Sequence, residues 1–466
     1  MSSDFKEDQR PRRLLVQDES RLRDVEEKHQ KVRELLAGSG ADALLLQDPA
    51  NIAWFTAGAD LFRFAGEDVT TSVFVTADAR LFATSSVDSA QIFDREVFGL
   101  GFQLKQREWF QPHEELVADL CRGRKVVSDL GAIGTKLVKE KLRAIRLPLS
   151  ELEVERLRLL SKVAVHAVEA TAHGLKPGVT ESEVAGEVSH RLVKRTVAAV
   201  RLQVCADGRN ERYRHWAFGE HLIQNYVTIT CVARRWGLHV GVTRTVCFDT
   251  VPGELWKAYQ RCLLLHATGL YFSRHNETLG GVWKKVHRIY EKFGIPFEWQ
   301  QADQADVLGY RPSERRLVPE SDFLLDGPVP LFWHSSVGPA MIGDSILCRD
   351  GVNETLTRSE SWPELPVQVK GHDVMCPGIL LRRTSRTSLE STPADATSPE
   401  DVDAMVGGEH GDLRGSASGD VSVACPDHPE EALPQRLDSV WELELPPARA
   451  VWEEDDSPYP EESVLE

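Results

Sequence analysis

Apolar residues recur at helical spacing over residues 18–37, where Leu22, Val25, His29, Val32, Leu35 and Leu36 share one side. That spacing predicts an amphipathic helix, and Gly38 and Gly40 supply its stop. Residues 41–48 (ADALLLQD) then turn continuously apolar, which reads as a buried strand. A Pro49-Ala50-Asn51 turn leads to a second apolar piece, IAWFTAG. Strand-like runs follow at TTSVFVTAD, ARLFATSS and KVVSDLG with helical stretches between them, predicting a small α/β domain over residues 14–148. From residue 151 the period returns to that of a helix, with Leu152, Leu157, Leu160, Ala164, Ala167, Val168 and Thr171 on one side up to residue 174. Lys176-Pro177-Gly178 ends it, and Thr180 through Glu183 spell a capping box for the next helix. Residues 222–232 and 239–250 read as paired strands, 254–275 and 281–293 as helices, and 323–350 as strands again. The second domain, 149–383, is therefore expected to be α+β with much antiparallel pairing.

The pattern fails at both ends. Residues 1–13 read as a loose leader without the apolar run of a signal peptide. Beyond residue 384, Ser, Thr, Pro, Gly, Asp and Glu dominate, too little apolar surface to offset the entropy of ordering. The alternation Val440–Leu445 is the exception there and reads as a strand or a docking peptide. This tail, 384–466, holds 21 Asp/Glu and 4 Arg, which is the whole formal net charge of -17. The body is neutral, which argues against general nucleic-acid binding. No run approaches the roughly 20 apolar residues of a membrane helix. The eight cysteines form no C-x-x-C pair, so a zinc ribbon or disulfide framework is not expected and a reducing cytoplasm is.

Three segments together resemble the creatinase / Xaa-Pro aminopeptidase family. Ala43 through Gly58 is similar to its N-terminal entry motif, with Asn51 and Thr56-Ala57-Gly58 in place. Glu153–Arg158 with Lys176-Pro177-Gly178-Val179-Thr180-Glu181 is similar to the opening of its catalytic domain. Gly237 with Thr243-Arg244-Thr245 is similar to its G…T-R-T strand. The resemblance implies a creatinase-like N-terminal domain, a pita-bread C-terminal domain and a homodimer.

It also implies two divalent ions held by two Asp, one His and two Glu around a bridging water. Those five positions fall on Thr230, Gly241, Asp306, His334 and Gly343. None keeps the family's residue type, so a standard dinuclear site and its metal cofactor are not expected. The family's upstream His is kept as His215, after Arg214; in creatinase itself the matching His is the general acid/base. His215 is thus the candidate for any surviving catalysis, against a reading as a His packed on Tyr213 and Trp216. Arg209, Arg212, Arg214, Arg234, Arg235 and Arg244 offer forks for carboxylates or phosphates. Arg214, Arg244, His239 and His334 are the candidate ligand-binding residues, with Arg244 expected to face the former metal cavity. His239, Asp306, His334 and Asp344 are an alternative set for a lone metal. Two functions follow: a module binding a peptide or small anion without metal, or a metal-independent hydrolase using His215. An active Xaa-Pro peptidase is the third.

Overall fold

The structure is a computed structural model that describes residues 18–61, 71–132 and 134–383. The leader 1–13 and the tail 384–466, with its Val440–Leu445 alternation, lie outside the described residues.

Helix α1 (Glu19–Ser39) is capped by the Asp18 carboxylate, which accepts from Arg21 N, and ends at Gly40 with φ of 60°. The four-residue strand β1 (Ala43–Leu46) is buried at every position. It is the centre of a six-stranded sheet with β2 (Ser72–Thr76), β3 (Arg80–Ser85), β4 (Gln103–Arg107), β5 (Val126–Ser128) and β6 (Lys136–Leu137), in the order β4-β3-β2-β1-β5-β6. A strand covered on both faces has no polar side to alternate, which is why it reads as an unbroken apolar run. The second apolar piece is no strand: Pro49–Phe55 is helix α2, with Asp48 accepting from Ala50 N and Pro49 in the first turn. Asp-Pro is a helix start, and burial of six of its seven residues erased the polar stripe that periodicity needs. Helices α3 (Ser89–Gln91), α4 (His113–Cys121) and α5 (Lys139–Arg146) complete this lobe.

Helices α6 (Glu151–Gly174) and α7 (Glu181–Val193) open the second lobe. Each starts at a complete capping box, Ser150/Glu153 and Thr180/Glu183. Strands β7 (Ala198–Ala206), β8 (Tyr226–Arg235), β9 (Leu238–Phe248), β10 (Ala305–Val307), β11 (Arg315–Arg316), β12 (Val329–Val337) and β13 (Ala340–Cys348) form the path β11-β10-β12-β13-β9-β8-β7. Helices α8 (Gly253–Phe272) and α9 (Leu279–Lys292) lie between β9 and β10 in the chain. The register aligns Gln203, Thr230, Thr243, Gly343 and His334 in one row across five strands. The next row on the same face carries Val232, Gly241, Ser345, Phe332 and Asp306. Side chains alternate along a strand, so Arg244 and Asp344 point the other way, toward Glu169 of α6 and His266 of α8.

The two lobes share buried charge. Lys28 Nζ of α1 meets Asp24 at 2.5 Å and Glu153 of α6 at 2.6 Å. Tyr310 donates to the same Glu153 at 2.6 Å. Arg146 bridges Asn51 and Glu314, and Arg311 pairs with Asp48. Residues 310–314, just after β10, are thus tied to the first lobe by Arg311–Asp48 and Arg146–Glu314. No helix among the described residues is long and apolar enough to cross a membrane.

Candidate functional site

The sheet face bearing Thr230 and His334 opens into a small pocket lined by Arg201, Gln203, Arg214, His215, Thr230, Asp303 and His334, among others. The space that a water-sized molecule can occupy in it is about 10 Å³, the room of about one water molecule.

At the inner end His334 Nε2 stands 3.2 Å from Asp306 Oδ2. Ser313 donates to the other oxygen, Oδ1, at 2.5 Å. Burial opposes ionisation of Asp306, but the His334 contact, the Ser313 hydroxyl and the charge of Arg201 outweigh it and hold the carboxyl below its ordinary value. Asp303 brings its carboxylate into the same group. At the mouth, His215 is 68% exposed with Nε2 3.7 Å from Asp303 Oδ1, too long for a hydrogen bond. Arg214 is buried and donates to Gly338 O and Glu298 Oε1, while its Nε has no partner.

The other positions implied by the resemblance look different. Thr230 and Thr243 hydroxyls pair at 2.9 Å across β8 and β9. Gly241 and Gly343 lie under the Phe332 ring. A Cβ on Gly241 would sit 2.5 Å from Phe332 Cγ, and one on Gly343 would sit 2.5 Å from Thr243 Oγ1 and 2.9 Å from Phe332 Cε2. Real Cβ atoms essentially never come so close, so the absence of a side chain at these two positions is what admits the ring. Phe332 packs there with Val232 and Leu308.

Three expectations need correction. Arg244 does not face the pocket. It is buried on the helix side, donating to Glu169 at 2.9 Å, Asp344 at 3.0 Å and the Thr357 carbonyl at 2.7 Å. Burial disfavours its charge, yet Asp344 and Glu169 keep it fully protonated, and Arg244 in turn holds Asp344 well ionised against its own burial. His239 lies outside the pocket lining, its Nδ1 3.0 Å from Gly309 O. Burial, opposed by that carbonyl, pushes its pKa down to about 4, so the ring is neutral. The lone-metal set of His239, Asp306, His334 and Asp344 therefore splits: only Asp306 and His334 meet. Trp333, next to His334 on β12, lies on the opposite face and donates to Ser273 on the helix side at 3.0 Å. Alternation on β9, β12 and β13 decides the directions of Arg244, Trp333 and Asp344, whereas His239 shares the face of Gly241 and Thr243 but lies two rows further along β9.

Asp303, Arg201 and Gln203 were not singled out from the sequence. A signal for Asp303 existed, since Asp303-Gln304-Ala305-Asp306 repeats a carboxylate just before β10. Arg201 and Gln203 are the only polar residues of β7, two positions apart on one face of an otherwise apolar strand, and carry no motif of their own. Cys231 and Cys247 are buried thiols pushed up to about 12 by desolvation, which removes them as nucleophiles.

Residues 155–317 match the family model of metallopeptidase family M24. No curated protein matches the chain. Among solved structures, an Xaa-Pro dipeptidase from Bacillus anthracis is similar at TM-score 0.60 and 18% identity, over 72% of this chain and 98% of that one. Dipeptidase PepE from Mycobacterium ulcerans is similar at TM-score 0.62 and 14% identity, over 78% and 99%. The N-terminal domain of FACT complex subunit SPT16 from Cicer arietinum is similar at TM-score 0.55 and 13% identity, over 73% and 97%. At such identities the likeness is one of fold. Residues 155–317 thus match metallopeptidase family M24, and the chain shares the creatinase-like, pita-bread fold of these solved structures.

Proposed function

We propose that this chain is an M24-fold binding module that takes a small anion or the charged end of a peptide at the Arg214–His215 pocket, and that it does not carry out two-metal hydrolysis. The observation that carries the reading is the Phe332 ring standing over Gly241 and Gly343. Two divalent cations around one water need several carboxylates to offset their charge. At the five positions that the family uses, Thr230, Gly241 and Gly343 supply none, and the ring takes up the space where their side chains would reach. The residues present do not fit a metal pair, and no hydrolytic step is derived through one.

What remains suits recognition. Arg214, held by Glu298 and Gly338, keeps one buried donor free, and Arg201 and His215 add further donors at the lining. Guanidinium N–H groups are ready partners for a carboxylate. The same fold occurs in a subunit of the FACT complex, so an M24-type body is compatible with work inside an assembly. A second reading is favoured by the placement of His215: exposed, at the mouth, with Asp303 beside it, it can act as a general acid/base on a bound anionic substrate. The seven described cysteines are free, and we place the protein in a reducing compartment, the cytoplasm.

The test is elemental analysis of the purified chain beside hydrolysis of Xaa-Pro dipeptides with added Mn, Co or Zn. The reading expects no metal pair and no turnover. Two ions per chain with turnover would restore the peptidase. Hydrolysis of an anionic amide without metal, lost in His215→Gln, would select the second reading.

A further inference from the structure

Helices α6 and α7 pack against each other and border a groove near the C-terminal end of α7. It is lined by His166 of α6, by Glu187, His190 and Arg191 of α7, and by Lys194 and Arg195 just after it. Water-sized molecules can occupy about 420 Å³ of this groove, within the range of about 300–1,000 Å³ for small-ligand sites. None of its residues lines the Arg214–His215 pocket. We propose that the groove is a second anion site, which binds a phosphate-type oxyanion of the diphosphate class through Arg191, Lys194, Arg195 and the two histidines. It stands independently of the function proposed for the other pocket.

Charge carries the argument. Three cations face a single carboxylate, Glu187, an excess of two with both histidines neutral. Glu187 is taken by Arg191 at 2.6 Å, and among the described residues Lys194 and Arg195 form no ion pair. Cations do gather at helix C-termini, but the end of α7 offers only about half a negative charge, too little to offset this excess. Nor do its last carbonyls need the side chains. Lys194 N donates to His190 O, Arg195 N and Val197 N to Leu192 O, and Thr196 N to Val193 O. The cationic groups also crowd one another. Burial and the charges of Arg195 and Arg191 push His166 below its ordinary value, against the opposing pull of Glu169 on its own helix. An anion among them relieves that repulsion. The lining selects the anion. It holds no apolar side chain, so a hydrocarbon chain or a nucleobase gains nothing there. A single carboxylate leaves part of the excess unanswered, whereas a diphosphate, with about two to three negative charges, matches it. Its oxygens suit the forked guanidinium of Arg195 and the point charge of Lys194.

The test is calorimetric titration of the full chain with inorganic pyrophosphate at fixed low ionic strength, beside acetate and adenosine diphosphate. Pyrophosphate is expected to bind at least about tenfold tighter than acetate, and adenosine diphosphate about as well as pyrophosphate. Lys194→Gln and Arg195→Gln, both at exposed and unpaired side chains, are each expected to weaken binding by about threefold to fivefold at an unchanged melting temperature. Affinity should rise as the pH falls from about 8 to about 6, because the bound anion favours the protonated imidazoles, and His166→Gln should reduce that rise. No saturable pyrophosphate binding, or binding unchanged in both Lys194→Gln and Arg195→Gln, overturns the proposal. Adenosine diphosphate bound about tenfold tighter than pyrophosphate overturns it as well, since the groove would then read more than phosphate. Binding lost in His215→Gln but kept in the other two variants would place the anion in the Arg214–His215 pocket and overturn the second site alone.

Discussion

Adding a single methyl group at Gly241 tests whether Phe332 is locked in place. In the middle of a strand, Gly→Ala ordinarily stabilises by about 0.5–1 kcal/mol, because alanine has less chain entropy to lose. Here the new Cβ would meet Phe332 Cγ at 2.5 Å and Cε1 at 2.6 Å. The backbone cannot slide away: Ser345 Oγ accepts from Gly241 N at 2.9 Å and donates to Gly241 O at 2.7 Å. The ring cannot swing out freely either, being fully buried against Val232, Leu308 and the His334 ring 4.9 Å away. Overpacking of this kind costs about 1–3 kcal/mol. The steric cost wins, and Gly241→Ala is expected to lose about 0.5–2 kcal/mol. The assay is the urea midpoint at unchanged m. Phe332→Leu alone should cost about 1 kcal/mol. The double substitution should recover at least about 1 kcal/mol relative to the sum of the singles, a coupling typical of touching residues. A stabilising Gly241→Ala, or additive effects in the cycle, would refute the claim that the ring and the missing side chain are one feature.

Other outcomes follow from the same geometry. Arg244→Met should cost about 3–5 kcal/mol in chemical denaturation, since it strands Glu169 and Asp344 as buried unpaired carboxylates. The pH dependence comes from His239, whose folded pKa of about 4 lies below the unfolded value near 6.5. The unfolded chain binds the extra proton between those values, so stability is full above about pH 6.5 and falls on acidification toward pH 4. About 2 kcal/mol should be lost from pH 7 to pH 5, and denaturation of His239→Gln at both values should show that part of the slope removed. His215→Gln, at an exposed ring, should leave the melting temperature within about 1 °C while weakening capture of a carboxylate ligand followed by calorimetry.

Much of this architecture was legible because its elements obey one period each. α6 begins and ends where its apolar spacing and the Lys176-Pro177-Gly178 stop place it, and the Thr180 capping box is realised atom for atom. The α2 helix was not legible, for a buried seven-residue segment carries no polar face to set its phase. In the site, His215, Arg214 and His334 line one pocket. Arg244 does not, although it sits in the firmest motif of all: T-R-T fixes the strand, while the parity along it turns the arginine to the helix side. Asp303 escaped because its role depends on β10 and β12 lying side by side, a pairing that no local pattern encodes.

The buried charges between the lobes bear on how the chain can be divided. Residue 148 looks like a seam in the sequence, yet a fragment starting there would keep Glu153, Tyr310, Arg311 and Glu314 and lose Lys28, Asp48 and Arg146. Its carboxylates would be stripped of their cations beside the very segment that carries Asp306 and Ser313. The halves are therefore not interchangeable parts: a creatinase-type front taken from another protein would have to bring the same three side chains, or the pocket behind it would lose its footing.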